Sequence, residues 1–89
     1  MGLDIVEFLI ATEQEFDLKL PDEEVSVIST VGELTDLVHQ KLLVKHGLKH
    51  CPSNQAVFEI IKKLLFEEQN IASDRISRNS RFVDDLHMD

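Results

Sequence analysis

The chain of 89 residues offers few groups that could carry out chemistry at a defined site. His39, His46, His50 and Cys51 are residue types that bind metals, but their spacings of seven, four and one do not fit a zinc motif. The Asp84–Asp85 pair could supply an acid and a base, yet neighbouring carboxylates in a loop more often cap turns or carry surface charge. There is no glycine-rich phosphate loop and no recognisable set of nucleophile and base. The sequence therefore predicts no metal site and no enzyme.

The excess negative charge lies in the first half of the chain. The net charge is −8; residues 1–44 hold ten acidic and two basic side chains, whereas residues 45–89 hold seven of each. A nucleic-acid partner would need a basic face to contact phosphates, so this distribution argues against one. It favours a basic protein partner whose encounter depends on salt, although a solvated face that only confers solubility has the same composition.

Length and composition are those of a single globular domain over residues 1–89. Hydrophobic residues make up 43% of the chain, which is too many for a disordered segment. No apolar run approaches the roughly 20 residues that cross a bilayer, and the N-terminus lacks a secretory layout, so we expect no membrane contact. The only cysteine, Cys51, has no partner for an internal disulfide, which favours a reducing compartment. Together these features predict a cytoplasmic protein.

Apolar periodicity predicts an all-α domain with no strands. We expect a helix over residues 4–16, a short one over 22–28 after Pro21, a third that begins at Val31 and frays near residue 46, and a fourth over 55–68. Thr30 and Glu33 have the spacing of a capping box at the start of the third helix. Ser53 or Asn54 is positioned to cap the fourth. Residues 46–53 are a linker, and residues 69–89 form one long loop.

The apolar residues also predict which side chains are buried. In the first helix Phe8 lies at the edge of a stripe formed by Ile5, Val6, Leu9, Ile10 and Phe16. In the long loop the expected anchors are Ile71, Ile76, Phe82, Val83 and Leu86.

Several spaced motifs of the first half resemble a known family. The motifs are Gly2-Leu3-Asp4-Ile5-Val6-Glu7, Glu13-Gln14-Glu15-Phe16, Leu20-Pro21-Asp22-Glu23-Glu24 and Thr30-Val31-Gly32-Glu33-Leu34. They are similar to the second half of an acyl carrier protein, which runs from the carrier serine through the recognition helix to the last helix. Residues 1–45 thus resemble the family's second half.

Residues 54–89 resemble the family's first half. Residues 60–65 are similar to its opening helix, and residues 76–86 to the loop before the carrier serine. His87-Met88-Asp89 takes the place of the Gly-x-Asp that ends this loop. The resemblance implies a four-helix, acyl-carrier-like bundle whose halves are circularly permuted and joined by residues 46–53. Eight linker residues span up to about 26 Å, which is enough to join ends at one pole of a small domain.

In the acyl carrier family a serine between Asp and Leu receives 4′-phosphopantetheine, whose thiol carries the acyl group. Here Asp89 ends the chain where that Asp is expected, and Leu3 stands where the Leu is expected. Met1 and Gly2 lie between them without a hydroxyl. The resemblance therefore implies the cofactor, while the attachment serine is absent from this chain.

Three interpretations of this arrangement remain open. The chain is a permuted carrier that has lost its attachment site, a segment cut from a tandem carrier protein at two successive serines, or a half-domain pair that reassembles as a swapped dimer. The linker length favours a monomer over the swapped homodimer.

The resemblance further implies partners among the enzymes of fatty-acid or polyketide synthesis. Asp4, Glu7 and Glu13 correspond to recognition-helix positions that meet basic patches on such enzymes. The alternative function is a non-carrying interaction or regulatory module that keeps the fold. The family also lines a cavity for the acyl chain, which we expect to be empty or closed in a chain without the arm.

Overall fold

The computed structural model describes residues 3–88, so Met1, Gly2 and Asp89 lie outside the described part. Within it the chain forms four α-helices and no strand, and the all-α, four-helix prediction is confirmed. The helices are α1 (Leu3–Phe16), α2 (Asp22–Val25), α3 (Val31–His46) and α4 (Asn54–Gln69), followed by a 3-10 turn at Ser73–Arg75. None of the described helices has the length and apolar character needed to cross a membrane.

Local capping sets the starts of α3 and α4. At α3 the Glu33 amide donates to the Thr30 hydroxyl at 3.2 Å, and the Glu33 carboxylate accepts from the Thr30 amide at 3.0 Å. The capping box predicted from the sequence is therefore present. At α4 the Ser53 hydroxyl accepts from the Ala56 amide at 3.1 Å. Each cap pairs an amide that would otherwise lack a partner in the first helical turn.

The second helix is shorter than the sequence predicts, ending at Val25 rather than near Ile28. The Ile28 amide donates to the Val25 carbonyl, which closes a turn instead of continuing the helix. Thr30 must be extended to cap α3, and its φ of −119° and ψ of 159° are extended. The chain therefore leaves the helical conformation a few residues before that cap.

The core is built around α4, which packs against both α1 and α3. The buried residues of α4 are Val57, Phe58, Ile61, Leu64 and Leu65. They meet the buried face of α3, whose apolar members are Val31, Leu34, Val38 and Leu42. Residues from the first and last quarters of the chain thus share one hydrophobic cluster.

The buried face of α1 differs from the predicted stripe. Phe8 is fully buried at its centre rather than at its edge, while Val6 and Ile10 are 40% and 48% exposed. The face continues through Thr12 and Phe16, at steps of four residues. The Thr12 hydroxyl donates to the Phe8 carbonyl at 2.8 Å, so a polar residue occupies the core without an unpaired group. The predicted stripe contains apolar residues alone and therefore excludes Thr12, which belongs to the buried face.

The long loop is anchored to the core by Ile71, Ile76, Phe82 and Leu86, as predicted. Val83 is an incorrect anchor, since it is 59% exposed, and Met88 is buried without having been predicted. The Arg81 carbonyl accepts from the amides of Asp85 and Leu86, which makes a tight turn of residues 81–86. This turn directs Phe82 and Leu86 inward and leaves Val83 outside.

Candidate functional site

The outer face of α1 combines an apolar ridge with carboxylates. Leu3, Val6 and Ile10 are 70%, 40% and 48% exposed, and their spacing of three and four places them in one row along the helix. Asp4 and Glu7 are exposed beside this row. We call these five residues the α1 face. An apolar row bordered by negative charge suits a partner surface with an apolar centre and a basic rim.

Glu13, the third predicted partner-binding residue, has a different environment. Its carboxylate accepts from the Leu20 amide at 2.7 Å, and its side chain is half-buried. The contact closes the turn after α1, where Asp17 has a positive φ of 52°. Glu13 therefore has a structural partner within the chain, whereas Asp4 and Glu7 extend into solvent.

Helix α1 contacts the loop of residues 70–88, called the terminal loop below, through Phe8. The rings of Phe8 and Phe82 are 6.0 Å apart between centroids, with 47° between their planes. Met88 is 2% exposed, and its amide donates to the Phe82 carbonyl at 2.8 Å. Gly2 and Asp89, the residues expected to flank the attachment position, lie outside the described residues. Among the described residues, Phe8 and Met88 both contact Phe82.

A cavity of about 300 Å³ lies between α1, α2, the start of α3 and the terminal loop. Its lining residues are Ile5, Leu9, Val25, Ile28, Ser29, Leu34, Arg81, Phe82, Val83 and Asp84. Exposed residues are part of this lining, so the cavity reaches the surface rather than being closed. On the polar side, Arg81 and Asp84 form an ion pair at 3.2 Å. The cavity is suited to an apolar chain and presents no pair of groups for acid–base chemistry.

The other candidate groups do not assemble into a reactive site. In residues 3–88 no three histidine, cysteine, aspartate or glutamate side chains come together in a way that could hold a metal ion. Cys51 lies in the linker, where its sulfur contacts the carbonyls of Pro52 and His39 at 3.2 and 3.9 Å. Hydrogen bonds from the Ser29 and Thr30 amides and hydroxyls hold the pKa of Glu33 below its usual value, the Ser29 amide contributing most. That carboxylate is a helix cap and not a proton donor.

Two curated relatives show what the chain is similar to. The acyl carrier protein of Clostridium acetobutylicum is 47% identical over 37 residues, which cover 42% of this chain and 48% of the relative. The acyl carrier protein of Cyanophora paradoxa is 32% identical over 54 residues, 61% of this chain and 52% of the relative. Over these residues the chain is similar in sequence to acyl carrier proteins. It spans about half the length of the curated relatives it matches. No family model matches the chain, and no solved structure does.

The acyl-carrier resemblance and the structure together change the set of candidate site residues. Asp4 and Glu7 share the α1 face, and Glu13 does not contribute a free carboxylate to it. Apolar periodicity assigns Val6 and Ile10 to the buried stripe, whereas both lie on the surface. The spacing of Phe8, Thr12 and Phe16 was the signal that would have found them. If Thr12 is counted as buried, these two residues fall on the opposite side of the helix.

Proposed function

We propose that the chain is an acyl-carrier-type protein that docks on enzymes of fatty-acid or polyketide synthesis through the α1 face. The observation that carries the proposal is the exposed row of Leu3, Val6 and Ile10 beside Asp4 and Glu7. The relation to acyl carrier proteins supports it, since the sequence of α1 resembles the family's recognition helix. A basic enzyme patch would gain both charge complementarity and apolar contact there. The cytoplasm is the proposed compartment.

We further propose that the order of the family's halves is permuted in this chain. The contact between Phe8 of α1 and Phe82 of the terminal loop supports this order, because it brings the first helix next to the loop expected to precede it. The 4′-phosphopantetheine arm would then be attached between Asp89 and Leu3, where Met1 and Gly2 have no hydroxyl. On this proposal the chain is a carrier-like four-helix bundle that has no hydroxyl where the arm would be attached.

The absence of a hydroxyl at Gly2 favours a second candidate function. A domain that keeps the carrier fold and the α1 face but bears no arm would act as an interaction or regulatory module. A segment of a tandem carrier protein remains the third interpretation. Whether the chain can accept a phosphopantetheine arm separates these candidates.

The docking proposal is tested by reversing the charges of the α1 face. The Asp4→Lys/Glu7→Lys variant should bind a purified condensing enzyme of fatty-acid synthesis about 10-fold more weakly or worse, because attraction to a basic patch becomes repulsion. Binding is measured by titration at low salt. The matched control is Glu68→Lys/Asp74→Lys, which makes the same charge change on α4 and the 3-10 turn. Equal losses in both variants would show that only net charge matters and would exclude a defined docking face.

The carrier proposal is tested by intact mass after incubation with coenzyme A and a phosphopantetheinyl transferase. We expect no gain for the wild-type chain, and a gain of one phosphopantetheine for Gly2→Ser, which places a hydroxyl before Leu3. A gain without the substitution would place the attachment at another residue. No gain in either form would favour the non-carrying module.

A further inference from the structure

The segment from α4 to Met88 completes a core that residues 3–46 do not complete alone. The principal helix–helix interfaces are those of α4 with α1 and of α4 with α3. Leu34 and Val38 of α3 are fully buried, as are Ile61 and Leu65 of α4. Without α4, the apolar faces of α1 and α3 would be exposed to water.

Backbone hydrogen bonds also join these two segments. The amides of Val31 and Gly32 donate to the carbonyls of Ser80 and Arg78 at 3.0 and 2.8 Å. The Phe82 amide donates to the Ser29 carbonyl at 3.0 Å, and the Gln69 side chain donates to the Asp4 carbonyl at 3.3 Å. The terminal loop therefore supplies the partners that the first amides of α3 require. The interface between residues 3–46 and residues 54–88 therefore matches in its hydrogen-bonding groups as well as in its apolar surface.

The connection between the segments contributes little to that interface. Residues 47–50 and Ser53 are exposed, Cys51 and Pro52 are partly buried, and Cys51 packs against the core. The turn is closed by the Gly47 carbonyl, which accepts from the amides of His50 and Cys51. Gly47 has a φ of 79° and open space around it. Because the connection is a surface turn, the contacts of residues 54–88 do not depend on which chain supplies them.

We propose that residues 54–88 form an exchangeable unit. The groove formed by residues 3–46 binds this unit either from its own chain or from a second copy of the chain. Residues 47–53 act as the hinge. The closed and exchanged forms have the same contacts outside the hinge, so chain concentration decides between them. A short flexible connection supplies an effective concentration in the millimolar range. The closed monomer therefore predominates in dilute solution, and exchange becomes detectable when the closed form is disabled.

The test uses two full-length variants damaged in complementary segments. Leu34→Asp/Val38→Asp places two carboxylates in the groove, and Ile61→Asp/Leu65→Asp places two in the unit, so each variant alone should be unfolded. An equimolar mixture contains one intact groove and one intact unit for every two chains. We expect it to regain up to half of the wild-type helical circular dichroism as the concentration is raised to about 1 mM.

The matched control mixes two variants that are both damaged in the unit. Ile61→Asp/Leu65→Asp with Val57→Asp/Leu64→Asp offers intact grooves and no intact unit, so no helical signal should return. Failure of the complementary mixture to recover, or equal recovery in the control mixture, would overturn the proposal.

A deletion variant gives an independent readout on an otherwise unchanged chain. Removing residues 47–53 joins α3 directly to α4, and a continuous helix cannot fold back on itself to place α4 in its own groove. The exchanged form is then the one that can bury the core. We expect a helical dimer of twice the chain mass by light scattering. A helical monomer, or a chain that stays unfolded at every concentration, would contradict the exchange.

Discussion

At Gly32 the terminal loop lies close against α3. Its amide donates to the Arg78 carbonyl at 2.8 Å, and a Cβ at this position would lie 2.8 Å from the same oxygen. Arg78 is held on its other side by Phe58, whose ring centroid is 4.8 Å from the guanidinium carbon. The loop is thus fixed between α3 and α4. Farther along the same loop, Arg81 and Phe82 line the cavity.

Gly32→Ala should lower the free energy of unfolding by about 1–2 kcal/mol, because overpacking against a backbone carbonyl outweighs the better helix propensity of alanine. Chemical denaturation measures the loss, and amide chemical shifts of residues 78–82 report the displaced loop. Gly47→Ala is the matched comparison: its positive φ makes alanine unfavourable, yet nothing lies within 4 Å of the added Cβ. It should leave the shifts of residues 78–82 unchanged. Unchanged shifts in Gly32→Ala would show that the loop is not held by this contact.

At the scale of elements, the start of α3 joins several parts of the domain. Glu33 closes the capping box with Thr30 and also accepts from the Ser29 amide and hydroxyl at 2.9 and 3.0 Å. Ser29 in turn accepts from Phe82 of the terminal loop and lines the cavity. The charge of Glu33 therefore supports the helix start, the loop and the cavity wall together.

The lowered pKa of Glu33 predicts a pH dependence of stability. Because the folded-state pKa lies below the ordinary carboxyl value of 4.5, the contribution is complete above that value and is lost as the pH falls through the lowered pKa. Glu33→Gln removes this contribution. The wild type should be more stable than the variant in urea at pH 7, and the difference should shrink as the pH falls below 4.5. If the difference in stability between wild type and Glu33→Gln does not change with pH, the cap depends on the shape of the side chain and not on its ionisation.

At the scale of the whole molecule, the charge is distributed unevenly. All of the net charge of −8 belongs to residues 1–44. Lys41 pairs with Glu24 at 2.6 Å and Lys45 with Asp17 at 3.1 Å, which ties α2 and the turn after α1 to α3. Asp4, Glu7 and other carboxylates of this half remain exposed. Their mutual repulsion opposes the folded state, while the same field would attract the proposed basic partner.

Added salt should therefore act in opposite directions on stability and on docking. Between about 0.01 and 0.15 M ionic strength the screening length falls from about 30 to 8 Å. The urea midpoint should rise because self-repulsion is screened, and affinity for a basic partner enzyme should fall. Both are measured in one sodium chloride series. Affinity that does not change with salt would show that apolar contact alone drives binding to the α1 face.

Local features of this fold followed from the sequence because their causes are local. Thr30 and Glu33 are three residues apart, and Ser53 lies directly before α4, so the caps depend on neighbouring atoms alone. The helices arise from apolar periodicity within single segments, and three of them begin and end close to the predicted residues. The likeness to acyl carrier proteins likewise rested on short motifs. These features are set before distant parts of the chain meet.

The tertiary structure decided which residues those helices bury and which they present. Phe8 became the centre of the α1 core because it meets Phe82, a residue more than seventy positions away, and this contact turned Val6 and Ile10 toward solvent. Glu13 became a turn contact because the chain after α1 folds back to Leu20. Burial of a side chain depends on the neighbour that covers it. For α1 that neighbour is α4 with the terminal loop, so the identity of the α1 face was settled only by the fold.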